Sequence, residues 1–532
     1  MDVDALKPPT DIEALHRHYR AELTRQEALL AHRAEEIAYL REQVQLLLAN
    51  RFGASREKVS EAQLGLFNEA ELEVSVPEQK LEEPDTLTVP EHQRERARRK
   101  PLPEYLERVD IIHDLTESEK VCAEHGVALE CFGEESAEQL DIVPAKVRVL
   151  RHKRLKYCCP CCEGYIVTAP MPAQPIPKGI ASPGLLAYSA TSKFLDALPL
   201  YRQVQIFSRM GVDVSRASLA SWMVRCGALV QPLINLLREE LLQCSYLQMD
   251  ETTMQVLKEA GKAPESISYL WAQQSIDAQR PIVLFEYAPS RSGEVAKRLL
   301  DGFTGSVQVD AYAGYNAVVR EQALVRLGCW AHARRRWVDV IKAQGLNPKK
   351  LPLKPPTKAK RALTGLGYIQ SLYAIERRIK DEPPDERYRI RQRDSVPVLV
   401  KLKTWADRLR PKVVPKSKLG DALQYLNNQW PTLVRYCDDG RYRMDNNGIE
   451  NAIRPFCLGK KNWLFADSVG GAKASANLYS LIHTAKANGL EPYAYLRHVF
   501  TELPKATSLE DIEALLLYHP ALNLTNDLRS TS

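Results

Sequence analysis

No stretch of the chain offers the roughly 20 consecutive apolar residues that a membrane-spanning helix needs, so no membrane span is expected. The opening residues, MDVDALKPPTDIEALHRHY, lack a positive segment followed by an apolar one, and no secretory signal is expected either. Cysteine is scarce, 11 in 532 residues, which excludes a disulfide scaffold. Six of the 11 crowd between Cys122 and Cys162, a pattern that favours a metal over disulfides in a chain without an export signal. A phosphate-binding GxxxxGK[ST] loop is also missing: GKKNWLFADSVGGAKASA (459–476) has the glycines and lysines but not the spacing, so ATP is not implied. What remains is a chain with 45% hydrophobic and 26% charged residues, long enough for about three to four domains.

The net charge of +6 hides a separation. Residues 1–90 carry 10 basic and 18 acidic side chains, whereas residues 343–420 carry 20 basic and only 7 acidic ones. Positive charge at that density is the footprint of a polyanion, because each phosphate contact releases counterions. The alternative is a solvated, highly charged surface.

Residues 12–49 contain neither proline nor glycine and read as one long helix. Leu23, Leu30, Ile37 and Val44 fall seven apart, with Leu40 and Leu47 between them on the seam. Gln26 and Arg33 interrupt the first half, so the coiled-coil expectation for 1–50 rests on the second, against a helix packed on its own chain. Residues 51–110, punctuated by Pro77, Pro84, Pro90, Pro101 and Pro103, read as a linker or a small helical DNA-binding unit. Residues 111–175 hold the cysteine cluster. In 176–240, LPLYRQVQIFSRMG and VSRASLASWMVRCG read as two helices broken at Gly211, with Ser215 as N-cap: a helix-turn-helix or a plain αα-hairpin.

From 241 to 342 the pattern changes. YLQMD, ISYLWAQQ and PIVLFEYA read as three strands, SGEVAKRLLDGF as a helix, and SVQVDAY as a fourth strand. That order is the one expected of a ribonuclease-H-like core. The basic 343–420 stretch reads as a mainly helical insertion, 421–487 as the second part of the core, and 488–532 as a C-terminal helical element. Within the second part, DNNGIENAIRPF offers Asp445 or Asn447 as N-cap of a helix that places Glu450 and Arg454 on one face.

Among 67 acids, three stand out by position. Asp250 is expected to end the first strand and Asp310 lies near the end of the fourth, so the two converge where a carboxylate is costly unless it binds a cation. Glu450, on a helix able to cross the sheet, completes the set. Such oxygen donors suit two Mg²⁺ or Mn²⁺ ions, the arrangement for in-line phosphoryl displacement.

Long ordered runs carry a resemblance. RFGASREK, KYCCPCCEGY, SPGLLAYSATSKFLDALPLYRQ, MDETTMQVL, VDAYAGYNAV, GCWAHARRRW and NNGIENAIRPFCLGKKNWLFADSVGGAKASANLYSLIHTAKANGL resemble an IS66-family transposase, specifically its large DDE subunit, over almost the whole chain. The resemblance implies that Asp250, Asp310 and Glu450 are the catalytic triad. It also implies cleavage of transposon ends and joining to target DNA in a bacterial cytoplasm, at the nucleoid, with small accessory proteins of the same element as partners and a homo-oligomer as the working form.

The zinc pattern departs from relatives, which usually offer two CxxC pairs. Here Cys159 and Cys162 form one, overlapped by Cys158 and Cys161, and the upstream pair is Cys122 with His125. Histidine replaces cysteine as a tetrahedral ligand, so a structural zinc on these four is expected, against a reduced metal-free cluster. Cys329 and His332 form a CxxH that offers too few ligands for a zinc and is read as support for the active site. Arg334, Arg335 and Arg336 on the same segment, with Arg454, Lys460 and Lys461 further on, are the candidate DNA contacts; Trp463 could stack on a strand. The expected architecture is therefore a multidomain α+β chain: a ribonuclease-H-like core with a helical insertion, preceded by a coiled-coil helix, a zinc unit and a helical DNA-binding region. A ribonuclease-H-like nuclease or resolvase needs the same triad without the accessory parts. A domesticated DNA-binding regulator is the non-enzymatic rival, and it is disfavoured because all three acids are present.

Overall fold

The computed structural model describes residues 146–158, 166–276, 281–347 and 359–517, together with helical positions scattered between 12 and 44. The chain divides into two compact units, 1–76 with 149–532, and 77–148, the latter described only at 146–148. Cys122 and His125, and Cys159 and Cys162, lie outside the described residues, as does the 51–110 segment. At the described N-terminal positions the backbone is helical, and Leu23, Leu30, Ile37, Leu40 and Val44 are exposed.

A short antiparallel ribbon, β1 (Lys156–Cys158) with β2 (Ile166–Thr168), brackets residues 159–165. Four helices follow: α1 (Pro183–Phe194), α2 (Leu200–Arg209), α3 (Arg216–Leu229) and α4 (Gln231–Leu242). Gly211, at φ +79°, makes the turn between α2 and α3, and the Ser215 hydroxyl caps α3 by accepting the Ser218 N–H, as its sequence foretold. The face of α3 carrying Leu219, Trp222, Met223 and Cys226 is buried.

The central sheet has β3 (Tyr246–Lys258), β4 (Ile267–Ser275) and β5 (Val283–Ala288) running antiparallel in succession. After α5 (Gly293–Leu299), β6 (Ser306–Gln308) returns parallel to β3 on its other side. Helix α6 (Tyr315–Glu321) leads to β7 (Val325–Leu327), parallel to β6, so the order across the sheet is β5-β4-β3-β6-β7. Within this sheet the sequence reading did not include β7, three residues long, or β8 (Ala466–Ser468), paired to the far end of β3, and the strand expected over 306–312 ends at Gln308. β3 corrects one expectation: it does not end at Asp250 but runs on to Lys258, because β4 keeps pairing with it to Gln255.

Side chains alternate across β3. Leu247 and Met249 face a core with Trp271, Leu299 and Val318, while Met254 and Val256 face the larger core built from α1, α3, α4 and the C-terminal helices. Those are α12 (Asn447–Trp463), α13 (Val469–Ala487) and α14 (Pro492–Glu502), with a short α15 (Leu509–Glu513). Between β7 and α12 the chain makes α7 (Trp330–Ala343), α8 (Lys360–Arg378), α9 (Pro384–Ile390), a π-helical turn at Arg391–Ser395, α10 (Val396–Leu409) and α11 (Lys418–Leu433). These helices bury their own core of Trp330, Trp337, Leu366, Leu402 and Leu426, so the basic stretch is a packed helical insertion. Among the described residues no single helix is long and apolar enough to cross a membrane.

Candidate active site

The register of the parallel pair decides where the acids meet. Gln248 of β3 pairs with Gln308 of β6, and the Gln248 amide donates to the Gln308 side chain at 2.7 Å. Asp250 and Asp310 each lie two residues beyond that pair, where β6 has left the ladder and β3 continues. The Glu251 N–H donates to Asp250 Oδ1 at 2.8 Å, and the Tyr312 N–H to Asp310 Oδ1 at 2.9 Å. Burial pushes the Asp250 carboxyl well above the usual carboxylate range, and the charges of Glu251 and Asp310 push the same way.

Glu251 was missed by the sequence reading. It is buried on the opposite face of β3, where Arg291 forms an ion pair with it and the Tyr315 hydroxyl donates to it at 2.6 Å. Burial raises its carboxyl too, with Asp310 adding to the effect. The second Arg291 arm lies 3.5 Å from Asp310, and the guanidinium sits 4.1 Å from the Tyr312 ring. Arg326 donates to the Asp310 carbonyl at 2.6 Å. The adjacent acid in QMDETT was the available clue; Arg291, in a loop after the third strand, gave none.

Helix α12 brings the third acid. Its N-cap is Asn446, rather than Asp445 or Asn447, and the Asn446 amide donates to the Met249 carbonyl at 3.1 Å. The Ile449 N–H donates to Gln248 Oε1 at 3.2 Å, and a side chain at Gly448 would collide with that same oxygen, so glycine lets the helix settle on β3. About two turns further on, Thr252 meets Cys457 Sγ at 3.5 Å. Asp250 lies between Gln248 and Thr252 on this face, and the stretch of α12 between their partners Ile449 and Cys457 carries Glu450 and Arg454. Glu450 is 3% exposed.

The CxxH pair reaches the same place from β7. Cys329 follows the strand and caps α7, and His332 lies one turn on, its Nδ1 3.6 Å from Glu450 Oε1. Sequence reasoning counted two ligands here; the fold adds Glu450 as a third, with the donor atoms of all three within 4.8 Å of one another. Arg335 approaches the other Glu450 oxygen at 3.9 Å. Of the remaining candidate DNA contacts, Arg336 is exposed and lies over Tyr425, while Arg334 and Arg454 are half-buried. Lys460 donates to the Thr253 carbonyl at 2.6 Å, and Lys461 is exposed. Trp463 lies 3.9 Å beneath the Lys193 ammonium, so one of its faces is already occupied.

Comparison with known proteins identifies the family. Residues 178–474 match the Transposase IS66 family and residues 480–516 the IS66 C-terminal element. Residues 119–163 match the zinc-finger binding domain of transposase IS66, and residues 39–111 a segment described as Transposase C of IS166 homeodomain. The chain is similar to the uncharacterized protein y4qI of Sinorhizobium fredii, 31% identical over 97% of this chain and 96% of that one. It is also similar to y4jD of the same organism, 34% identical over 78% and 80%. The matches define an insertion-sequence transposase. The chain belongs to the IS66 transposase family.

Proposed function

We propose that this protein cuts the ends of its insertion sequence and joins the freed 3′-OH to target DNA, with Asp250, Asp310 and Glu450 as the acids of a ribonuclease-H-like core. The observation that carries the reading is the gathering of Asp250, Glu251 and Asp310 beside one another, with burial and then like charges raising the Asp250 carboxyl and Arg291 as the neighbouring cation. A group of oxygen donors that repel one another in this way fits hard divalent cations, Mg²⁺ or Mn²⁺, two per site, on Asp250, Asp310 and Glu450. Such ions, when bound, make water or a 3′-OH nucleophilic and offset charge at the scissile phosphate. The chain's own residues hold the frame. Arg291 bridges Glu251 and Asp310, Tyr315 fixes Glu251, and Arg335 and His332 face Glu450.

DNA is held by charge, with Arg334, Arg336, Arg454 and Lys461 the basic side chains of α7 and α12 proposed to meet it, while Arg335 faces Glu450 and Lys460 is taken by the Thr253 carbonyl. In the zinc-finger match, Cys122, His125, Cys159 and Cys162 are the proposed ligands of a structural Zn²⁺. The exposed seam of Leu30, Ile37, Leu40 and Val44 fits pairing between subunits. Small accessory proteins of the element are proposed partners, and nucleoid DNA in the cytoplasm the place of action.

Single changes Asp250→Ala, Asp310→Ala and Glu450→Ala should each lower strand joining at least a thousand-fold, about 4 kcal/mol in the barrier. Affinity for transposon ends should stay within about threefold, because phosphate contacts supply it. Robust Mg²⁺-dependent joining by Asp250→Ala or Asp310→Ala protein refutes the site.

A further inference from the structure

Beside the acids lies a set of donors of different chemistry. Cys329, His332 and Glu450 come from the end of β7, the first turn of α7 and the first turn of α12. Their sulfur, nitrogen and oxygen ligand atoms lie within 4.8 Å of one another, and Cys329 and Glu450 are 1% and 3% exposed. The Asn446 N–H donates to Cys329 Sγ at 3.2 Å, while Cys329 itself caps α7. The sulfur is therefore held by the backbone that leads into α12, on the same side as Glu450.

We propose that Cys329, His332 and Glu450 form a site for a borderline-soft divalent cation of the zinc class. One thiolate, one imidazole and one carboxylate are the donors such an ion takes, with a fourth position left to water or substrate. Mg²⁺, which takes oxygen donors, is not the ion this set selects. The 3.6 Å between His332 Nδ1 and Glu450 Oε1 is close to the edge of a tetrahedron with bonds of about 2.1 Å, roughly 3.4 Å. The site stands on these three side chains and their spacing, whether or not Glu450 also serves in strand joining. It differs from the residue 119–163 zinc-finger match in sharing none of that segment's cysteines.

Co²⁺ titration of the metal-stripped full-length protein, followed by thiolate-to-cobalt charge-transfer absorption, tests it. Wild type should take up about one equivalent more per chain than Cys329→Ser or His332→Ala. His332 is part-exposed, so His332→Ala should fold where Cys329→Ser is at risk, and circular dichroism checks both. Full cobalt uptake by folded His332→Ala, or by folded Cys329→Ser, overturns the site. Asp250→Ala separates the two proposals: it should keep the extra equivalent while losing strand joining. If Asp250→Ala joins strands, the catalytic reading fails and the cobalt result stands. If it loses the extra equivalent, the ion belongs to the aspartate site and the separate cysteine site is overturned.

Discussion

Arg391 in the helical insertion and Asp250 on the central strand are both charged groups withdrawn from water, and their surroundings differ in kind. Arg391 is 1% exposed, and all five of its N–H donors are used. Two meet Glu376 at 2.9 and 2.7 Å; the others reach the carbonyls of Tyr436, Asp439 and Tyr442 at 2.7 to 2.9 Å. Asp250 has an N–H from Glu251, but its charged neighbours Glu251 and Asp310 share its sign, with Arg291 the counterion among them. A buried charge whose partners are complete fixes architecture. A cluster of like charges kept together at a cost marks a place where the fold expects something to bind.

The contrast breaks most readily at Arg391. Arg387, Arg389, Arg391 and Arg393 belong to the basic 343–420 stretch expected to meet a polyanion, and the structure removes Arg391 from that role: its guanidinium ties α8, the π-helical turn and the segment after α11 together. Arg391→Ala leaves Glu376 and three carbonyls without their partner. It should destabilise the insertion by about 3–5 kcal/mol, read as a lower melting temperature or faster proteolysis between 359 and 444. An unchanged melt with weakened DNA binding would restore Arg391 to the phosphate contacts.

At Asp250 the expected effect is smaller and of opposite sign. Its folded carboxyl is raised above the ordinary value of 3.8, so above that pH the metal-free folded chain binds more protons than the unfolded one. Stability contributed by this group is therefore present at low pH and lost as pH rises through the raised value. Asp250→Asn removes the repulsion and should stabilise metal-free protein at pH 7 by roughly 0.5–2 kcal/mol, while strand joining disappears. The gain should vanish below about pH 4, where both proteins are uncharged at this position. Mn²⁺ should narrow the difference by stabilising wild type more. A metal-free Asp250→Asn protein that melts below wild type at pH 7 would mean the cluster is a satisfied network.

Legibility in the sequence follows the range of the interaction. Strands β3 to β5 and helix α5 were readable because segments dense in apolar and aromatic residues, with a helical period in α5, report burial locally. β7, with only Val325, Arg326 and Leu327, is too short to carry a period, and it is recruited by β6 rather than by its own pattern. Asp250 and Asp310 were singled out from expected strand endings, yet β3 runs past its aspartate to Lys258 and β6 stops at Gln308, two residues short of the other. The Glu450–His332–Cys329 grouping was not, since it depends on α12 crossing back after more than a hundred residues of insertion. Charge counting saw twenty basic residues in 343–420 and could not see that one of them is interior. The four proposed zinc ligands rest on their spacing and on the family match to residues 119–163.

The smallest effect concerns what remains of the basic run. Arg389 and Arg393 keep 75% and 69% of their side chains exposed, so they are the members of the four best placed to meet phosphate. Each already has an acid beside it: Glu386 lies 3.3 Å from Arg389, and Asp394 lies 2.8 Å from Arg393. Exposed pairs of this kind contribute little to stability, so changing both arginines to Gln should alter the melt by no more than about 0.5 kcal/mol. A full phosphate contact contributes about 0.9 to the slope of log affinity against log salt. Because the neighbouring acids compete with phosphate, the double variant should flatten that slope by less than about 1.8. The loss should be equal for transposon-end and unrelated DNA, since phosphate contacts carry no sequence. An unchanged slope would make even these two arginines part of a solvated surface. A loss confined to transposon ends would show the insertion reading sequence, a role that neither its charge nor these two arginines account for.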